Sequence, residues 1–166
     1  GEIIPALDIV GQGFEKKTVY LPQLLMSAEA ATASFEVIKQ KMGSSSQEKK
    51  GTIVIATVKG DIHDIGKNIV KVLLENYGYE VIDLGRDVAP QTVLDAVEKH
   101  QVRLAGLSAL MTTTVPAMEE TIQLIHEKAP YCRVVVGGAV LTADYAKQIG
   151  ADFYGRDAME TVRVAE

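Results

Sequence analysis

The sequence has a single cysteine, Cys132, and no tryptophan. One thiol excludes a disulfide framework and a zinc site built from several cysteines. Aromatic residues make up only 5% of the 166 positions, which leaves no stacking platform for single-stranded nucleic acid. Basic residues are outnumbered, 17 against 22 acidic ones, and no Lys/Arg cluster offsets the net charge of −5. A nucleic-acid backbone is therefore not the expected partner. No apolar run reaches the length of a membrane span, and the longest cluster near the start is broken by Pro5 and Asp8. The first residues show neither a basic region nor a small-residue cleavage site. The expectation is a cytoplasmic protein with no membrane partner. What is present is globular: 47% hydrophobic and 23% charged residues, enough for one domain with a small helical appendage.

The chain divides at Gly43-Ser-Ser-Ser-Gln-Glu-Lys-Lys-Gly51, where small and charged residues without apolar periodicity predict a linker over 43–51. Residues 1–42 before it read as helical. Leu21, Leu24, Leu25, Ala28, Ala31, Phe35, Ile38 and Met42 form one stripe at helical spacing, with Pro22 in the first turn. A shorter helix is expected over Ile3–Val10, broken by Gly11 and Gly13. Two helices cannot close a bundle, so their apolar faces need cover from the next domain or from further helices. The last residues, Thr161-Val-Arg-Val-Ala-Glu166, carry no helix stop signal, and the chain is expected to be a fragment of a longer protein.

Over 52–166 the pattern alternates. Strands are expected at Thr52–Val58, Glu80–Leu84, Leu104–Leu110, Arg133–Val136 and Asp152–Tyr154. Helices are expected at Gly66–Tyr77, Gln91–His100, Val115–Lys128, Ala143–Ile149 and from Ala158 onward. Five strands alternating with five helices predict an α/β fold. It is a flavodoxin-like, doubly wound, five-stranded parallel sheet in the order 2-1-3-4-5, preceded by a partial helical-bundle cap.

Ligands of such sheets sit beyond the carboxyl ends of the strands, near the switch between strands 1 and 3. The residues there are Lys59-Gly-Asp-Ile-His-Asp-Ile-Gly66, Ser108-Ala-Leu-Met-Thr-Thr-Thr114, Gly137-Gly-Ala139 and Gly155-Arg-Asp-Ala158. His63, between Asp61 and Asp64, admits two readings. Asp64 can cap the helix that follows and leave His63 solvated. Alternatively, the imidazole coordinates a metal through one nitrogen while Asp61 accepts from the other. A single histidine holds a bare ion poorly, so that metal has to arrive inside a cofactor. Gly60…Gly66-Lys67-Asn68 fails as a phosphate loop, having five residues between the glycines and no Ser/Thr after the lysine. No dinucleotide fingerprint follows strand 1, and strand 3 ends in Ser108-Ala-Leu110 without the carboxylate a phosphorelay receiver needs. Small residues at 108, 112–114, 137 and 138 together predict a narrow slot beside strand 3 that admits a bulky, mostly neutral group.

Asp61-x-His63-x-x-Gly66, then 41 residues to Ser108-x-Leu110, then 26 residues to Gly137-Gly138, resembles the three-part signature of cobalamin-binding domains. These domains bind the cofactor with its benzimidazole tail displaced. The segment Phe14…Tyr20-Leu-Pro-Gln-Leu24 is similar to the second half of the helical cap of the methyltransferases in that family. The stretch Ile55–Ile69 is nearest to the wording of cobalamin-dependent methionine synthases. The resemblance implies that His63 is the lower axial ligand of cobalt, that Asp61 bonds its other nitrogen, and that Thr114 continues the relay. It implies cofactor contacts from Gly60, Asp61, Ile62, Asp64, Ile65 and Gly66, and from Ser108, Leu110 and Thr112 on the displaced tail. Gly137 and Gly138 wall the slot, Ala158 lies near its far end, and Phe14, Leu21 and Leu24 cover the upper face.

The cofactor so implied is cobalamin, as methylcobalamin or a related corrinoid. The implied function is the methyl-carrier module of a methionine synthase. It would shuttle a methyl group from methyltetrahydrofolate to homocysteine, with methyl-donor and homocysteine-binding domains as partners. A free-standing corrinoid protein for methanol, methylamine or methoxyaromatic methyltransferases shares the signature and is the second reading. An adenosylcobalamin mutase domain normally lacks the cap, and a cobalamin-based regulator needs a DNA-binding segment. Of the remaining residues, His100 and His126 are expected to be solvated and Cys132 to be structural.

Overall fold

The computed structural model describes residues 3–42 and 49–166. Its strands are β1 (Thr52–Thr57), β2 (Glu80–Asp83), β3 (Leu104–Ser108), β4 (Arg133–Gly137) and β5 (Phe153–Tyr154). All pair in parallel in the order β2-β1-β3-β4-β5, the doubly wound order expected from the alternation. The β1 sequence TIVIAT is buried from its second residue onward, as a central strand covered on both faces requires. The helices are α1 (Ile3–Glu15), α2 (Leu21–Met42), α3 (Ile65–Asn76), α4 (Pro90–His100), α5 (Val115–Lys128), α6 (Ala143–Gln148) and α7 (Ala158–Ala165).

The period of two along each strand sorts the core into two halves. Val54, Ala56, Ala105, Leu107, Val134 and Val136 face α4, α5 and α6. Ile53 and Ile55 face the other way, into a core shared with Leu73 and Leu74 of α3 and Met159 and Val162 of α7. Leu24, Ala28 and Ala31 of α2 bury into that second core. The helical segment thus finds its cover on the domain that follows it. Linker positions 43–48 lie outside the described residues, and of the stripe residues Phe35, Ile38 and Met42 only the backbone is described.

Two boundaries differ from the sequence reading by more than one residue. Helix α1 runs through Gly11 and Gly13 to Glu15 instead of breaking there. A Cβ on Gly11 would lie 2.8 Å from Met159 Cε, so the glycine permits close packing on α7, and that packing outweighs its poor helix propensity. Strand β3 stops at Ser108, two residues early. The amides of Leu110 and Met111 leave the ladder and donate to the Asp61 carboxylate. Among the described residues no helix is long and apolar enough to cross a membrane.

At the far edge of the sheet Asp152 gathers three donors, the Val134 amide, an Arg133 Nη and the His126 ring, each at 2.8 Å. His126 is therefore half-buried and paired rather than solvated, whereas His100 is exposed. Burial pushes the Asp152 pKa up, but the Val134 amide, His126 and Arg133 more than offset it and hold it below the usual carboxylate value. A lowered folded pKa stabilises at neutral pH and is lost as acid protonates the group. Asp152→Ala is expected to lower the urea unfolding free energy by about 1–2 kcal/mol at pH 7, and by less at pH 3.

Candidate cofactor-binding cleft

The loop that leaves β1 enters a turn at Gly60 and delivers Asp61 into the protein interior, where it is fully buried. Its Oδ1 accepts from the His63 amide at 3.0 Å and from His63 Nδ1 at 2.8 Å. Its Oδ2 accepts from the amides of Leu110 (2.7 Å) and Met111 (3.3 Å) and from Thr114 Oγ1 (2.9 Å). Burial acts to raise the Asp61 pKa. The His63 and Leu110 amides, the His63 ring and the Thr114 hydroxyl outweigh it and hold the group well below the usual carboxylate range. An ionised Asp61 can only accept, so Nδ1 of His63 donates to it and Nε2 is the ring nitrogen left to meet a ligand. The His63 side chain is 46% exposed, and Nε2 has no protein partner among the described residues. Asp64 stands at the N-cap of α3 but makes no side-chain cap bond, so the capping reading of this loop does not hold.

His63 stands on the wall of a cleft of about 740 Å³ with mostly apolar walls. The cleft passes from the loops at the carboxyl edge down between the sheet and α3 and α7. Its floor is the in-register row Ile55, Gly106 and Val135. Ile69 and Val70 of α3 form one wall, Ala158 and Thr161 of α7 the other. Phe14 of α1 and Leu21 of α2 reach it from the helical segment.

Most residues singled out from sequence meet at this cleft. His63, Ile62, Asp64, Ile65, Gly66, Ser108, Leu110, Gly137, Gly138, Ala158, Phe14 and Leu21 line it, and Asp61 and Thr114 stand behind His63. Three do not line it. Leu24 is consumed by the core beneath α2, because its place on the stripe faces α3. Gly60 is exposed on the outer side of the loop, and Thr112 is exposed on a 3-10 turn at Thr112–Thr114. Sequence reasoning missed Gly106, Val135, Tyr154 and Thr161. Gly106 carried a legible signal, since a glycine inside a strand often marks close approach of a ligand. A Cβ there would stand 3.2 Å from Ile55 Cγ2 and occupy the floor of the slot. Gly106→Val is expected to leave the circular dichroism spectrum unchanged and to cut retention of added methylcobalamin at least tenfold after desalting.

The residues fit the corrinoid that the resemblance implies. Among the described residues no group of three His, Cys, Asp or Glu side chains converges, so a metal here must bring its own equatorial ligands. One imidazole, held in the right tautomer, supplies a single axial donor. The slot floored by a side-chain-free Gly106 leaves room for a flat, bulky appendage.

Comparison with known proteins agrees with this geometry. The model of a B12 binding domain matches residues 51–163, and a second B12 binding domain model matches residues 1–39. Dimethylamine corrinoid protein 1 of Methanosarcina acetivorans is 42% identical over 160 residues, covering 95% of this chain and 75% of the relative. Trimethylamine corrinoid protein 1 of Methanosarcina mazei is 42% identical over 157 residues, covering 92% and 73%. Among solved structures, the methanol:cobalamin methyltransferase complex MtaBC of Methanosarcina barkeri superposes with a TM-score of 0.85 at 34% identity, over 98% of this chain and 63% of that one. A response-regulator receiver domain of Methanospirillum hungatei reaches a TM-score of 0.52 at 18% identity, a likeness of fold alone.

Proposed function

This chain belongs to the family of B12-binding domains, and from that premise we propose that it carries a methyl group taken from a methylated amine on behalf of a separate methyltransferase. It is a cobalamin-binding domain of the corrinoid methyltransferase family, and its cofactor is cobalamin or a related corrinoid. The methionine-synthase reading, with methyltetrahydrofolate and homocysteine domains as partners, is less well supported than the free-standing corrinoid protein. The relatives matched over more than nine-tenths of the chain are named as dimethylamine and trimethylamine corrinoid proteins, which supports the second sequence reading. The relative from Methanosarcina mazei named dimethylamine corrinoid protein 3 is covered over 96% of its own length at 41% identity.

When bound, the corrinoid supplies the metal-centred methyl chemistry. His63 Nε2 would be the protein's donor to that metal. Asp61, fixed by two amides and the Thr114 hydroxyl, keeps the imidazole in its Nδ1–H form and orients the ring. The Asp61 carboxylate, 2.8 Å from Nδ1, would hold the ring in place whether or not Nε2 is engaged. Phe14 and Leu21 keep water from the cleft on the side of the helical segment.

The observation that carries the amine reading is the likeness to relatives named dimethylamine and trimethylamine corrinoid proteins. The lone imidazole of His63, backed by buried Asp61 at a large apolar cleft, supports the corrinoid that reading needs. The test presents the corrinoid-loaded, reduced protein with dimethylamine and a dimethylamine methyltransferase, or with methanol and the methyltransferase of the Methanosarcina barkeri complex. Methylation from the amine, at least tenfold faster than from methanol, is expected. Methylation from methanol alone would replace the amine as donor, and uptake from neither would remove the carrier role.

A further inference from the structure

Asp87, in the loop that follows β2, lies outside every motif of the cleft, yet it is wired to it. Its backbone is left-handed, with φ +54°, a conformation that costs a non-glycine residue free energy and that Asp and Asn tolerate best. Only three non-glycine residues among those described adopt positive φ, and Asp87 is the one next to the site. In that conformation it grips the β1 loop twice. Its amide donates to the Asp61 carbonyl at 2.9 Å, and its Oδ1 accepts from the Gly60 amide at 2.7 Å. The neighbouring Val88 pairs with Val58 as an isolated parallel bridge, and its amide donates to the Thr57 carbonyl. Gly60 itself is left-handed, with φ +84°. A strained Asp87 and a left-handed Gly60 on separate loops thus hold one another in register, and the segment between their contacts is the one that carries Asp61. Strain kept at a site by reciprocal hydrogen bonds is a device for pre-organisation.

We propose that Asp87 is a positioning residue: it clips the Gly60–Asp61 turn so that Asp61 holds the His63 ring at the angle axial ligation needs. This rests on His63 being the axial ligand, the reading argued above. The Thr57 amide also donates to the Gly85 carbonyl, but among the bonds of the described residues only Asp87 of the β2 loop reaches Gly60 and Asp61 themselves. The clip needs an acceptor at the δ oxygen and a residue that accepts left-handed φ. It does not need a charge. That separates three variants. Asp87→Asn keeps both properties. Asp87→Gly relieves the strain but deletes the acceptor. Asp87→Ala deletes the acceptor and keeps the strain.

The experiment loads the whole chain with methylcobalamin and records its absorption spectrum at the pH where the wild-type protein is half base-off. Asp87→Gly and Asp87→Ala are expected to raise the ratio of base-off to base-on cofactor about fivefold, the effect of one lost hydrogen bond. Asp87→Asn is expected to stay within about twofold of wild type. A wild-type ratio in Asp87→Gly would overturn the proposal, as would an Asp87→Asn protein that behaves like Asp87→Gly. His63→Ala serves as the control for the underlying reading. If it stays base-on, His63 is not the ligand and both statements fall. If it goes base-off while Asp87→Gly does not, only the clip is wrong. A second measurement is independent of the variants' folding and of cofactor. In the wild-type apo-protein the Gly60 amide is expected to exchange with solvent at least tenfold more slowly than the same peptide unfolded. Exchange at the unfolded rate would show that no clip exists.

Discussion

Asp61→Ala is expected to cost the apo-protein roughly 3–5 kcal/mol, read as a drop of about 1–2 M in the urea midpoint. The magnitude follows from what the carboxylate serves. The amides of His63, Leu110 and Met111, the Thr114 hydroxyl and the His63 ring all turn toward its two oxygens. Alanine leaves these donors facing a void that the surrounding backbone cannot close. Thr114 can recover one bond, because the Met111 carbonyl lies 2.8 Å from its Oγ1. The amides have no such alternative. Asp61→Asn is expected to be nearly as harmful, since its NH₂ group must face at least one donor. The pH dependence has a definite sign. Hydrogen bonds hold the folded carboxyl below its ordinary value of 3.8 despite burial. Its contribution is therefore complete at neutral pH and declines as pH falls below about 4. The stability gap between wild type and Asp61→Ala should narrow when urea melts are repeated from pH 7 down to pH 3.

Gly138→Ala is expected to be the most damaging single methyl in the domain. Gly138 has φ +141°, and a Cβ built on it would lie 1.8 Å from the Ala109 carbonyl oxygen and 2.8 Å from its carbon. Both are backbone atoms, so no rotamer change relieves the clash. Moving either segment breaks the Ala109 amide bond to the Gly137 carbonyl or the Leu141 amide bond to Gly138. A penalty of at least about 4 kcal/mol is expected, which for a chain of this size lowers the melting temperature by roughly 10 °C or more. Gly66→Ala is the matched contrast. Gly66 sits in the first turn of α3 with nothing within 4 Å of its would-be Cβ. Its apo melting temperature should be unchanged or slightly raised, because alanine is the better helix former. Calorimetric melts of the two variants side by side check both statements. Equal melting temperatures would mean that the Gly138 turn does not hold the shape described.

Much of the fold was legible because its signals are local. Alternating strand and helix patterns located all five strands and named the sheet order, and the Asp61–His63 pair was readable from its spacing. The misreadings share a physical cause: the deciding contact comes from a distant segment. Gly11 and Gly13 carry poor helix propensity, but α7 packs against α1 at Gly11. Leu24 shares a stripe with Leu21, yet only Leu21 reaches the cleft, since a helix facing two elements divides its apolar side between them. His126 meets Asp152 across 26 positions of sequence. The deep end of the slot, at Tyr154 and Thr161, depends on which sheet face α7 covers. The grip of Asp87 on Gly60 needs a left-handed backbone that no side-chain pattern announces.

The central claim is that His63 Nε2, with Nδ1 held by Asp61, is the axial donor to a corrinoid in this cleft. The direct measurement is electron paramagnetic resonance of the protein loaded with cobalamin and reduced to the cobalt(II) form, prepared with ordinary histidine and with histidine labelled in nitrogen-15. Ligation by His63 predicts a triplet splitting on each cobalt line that becomes a doublet on labelling and disappears in His63→Ala. A triplet that survives labelling would show the cofactor's own benzimidazole still bound to cobalt, and would contradict the account.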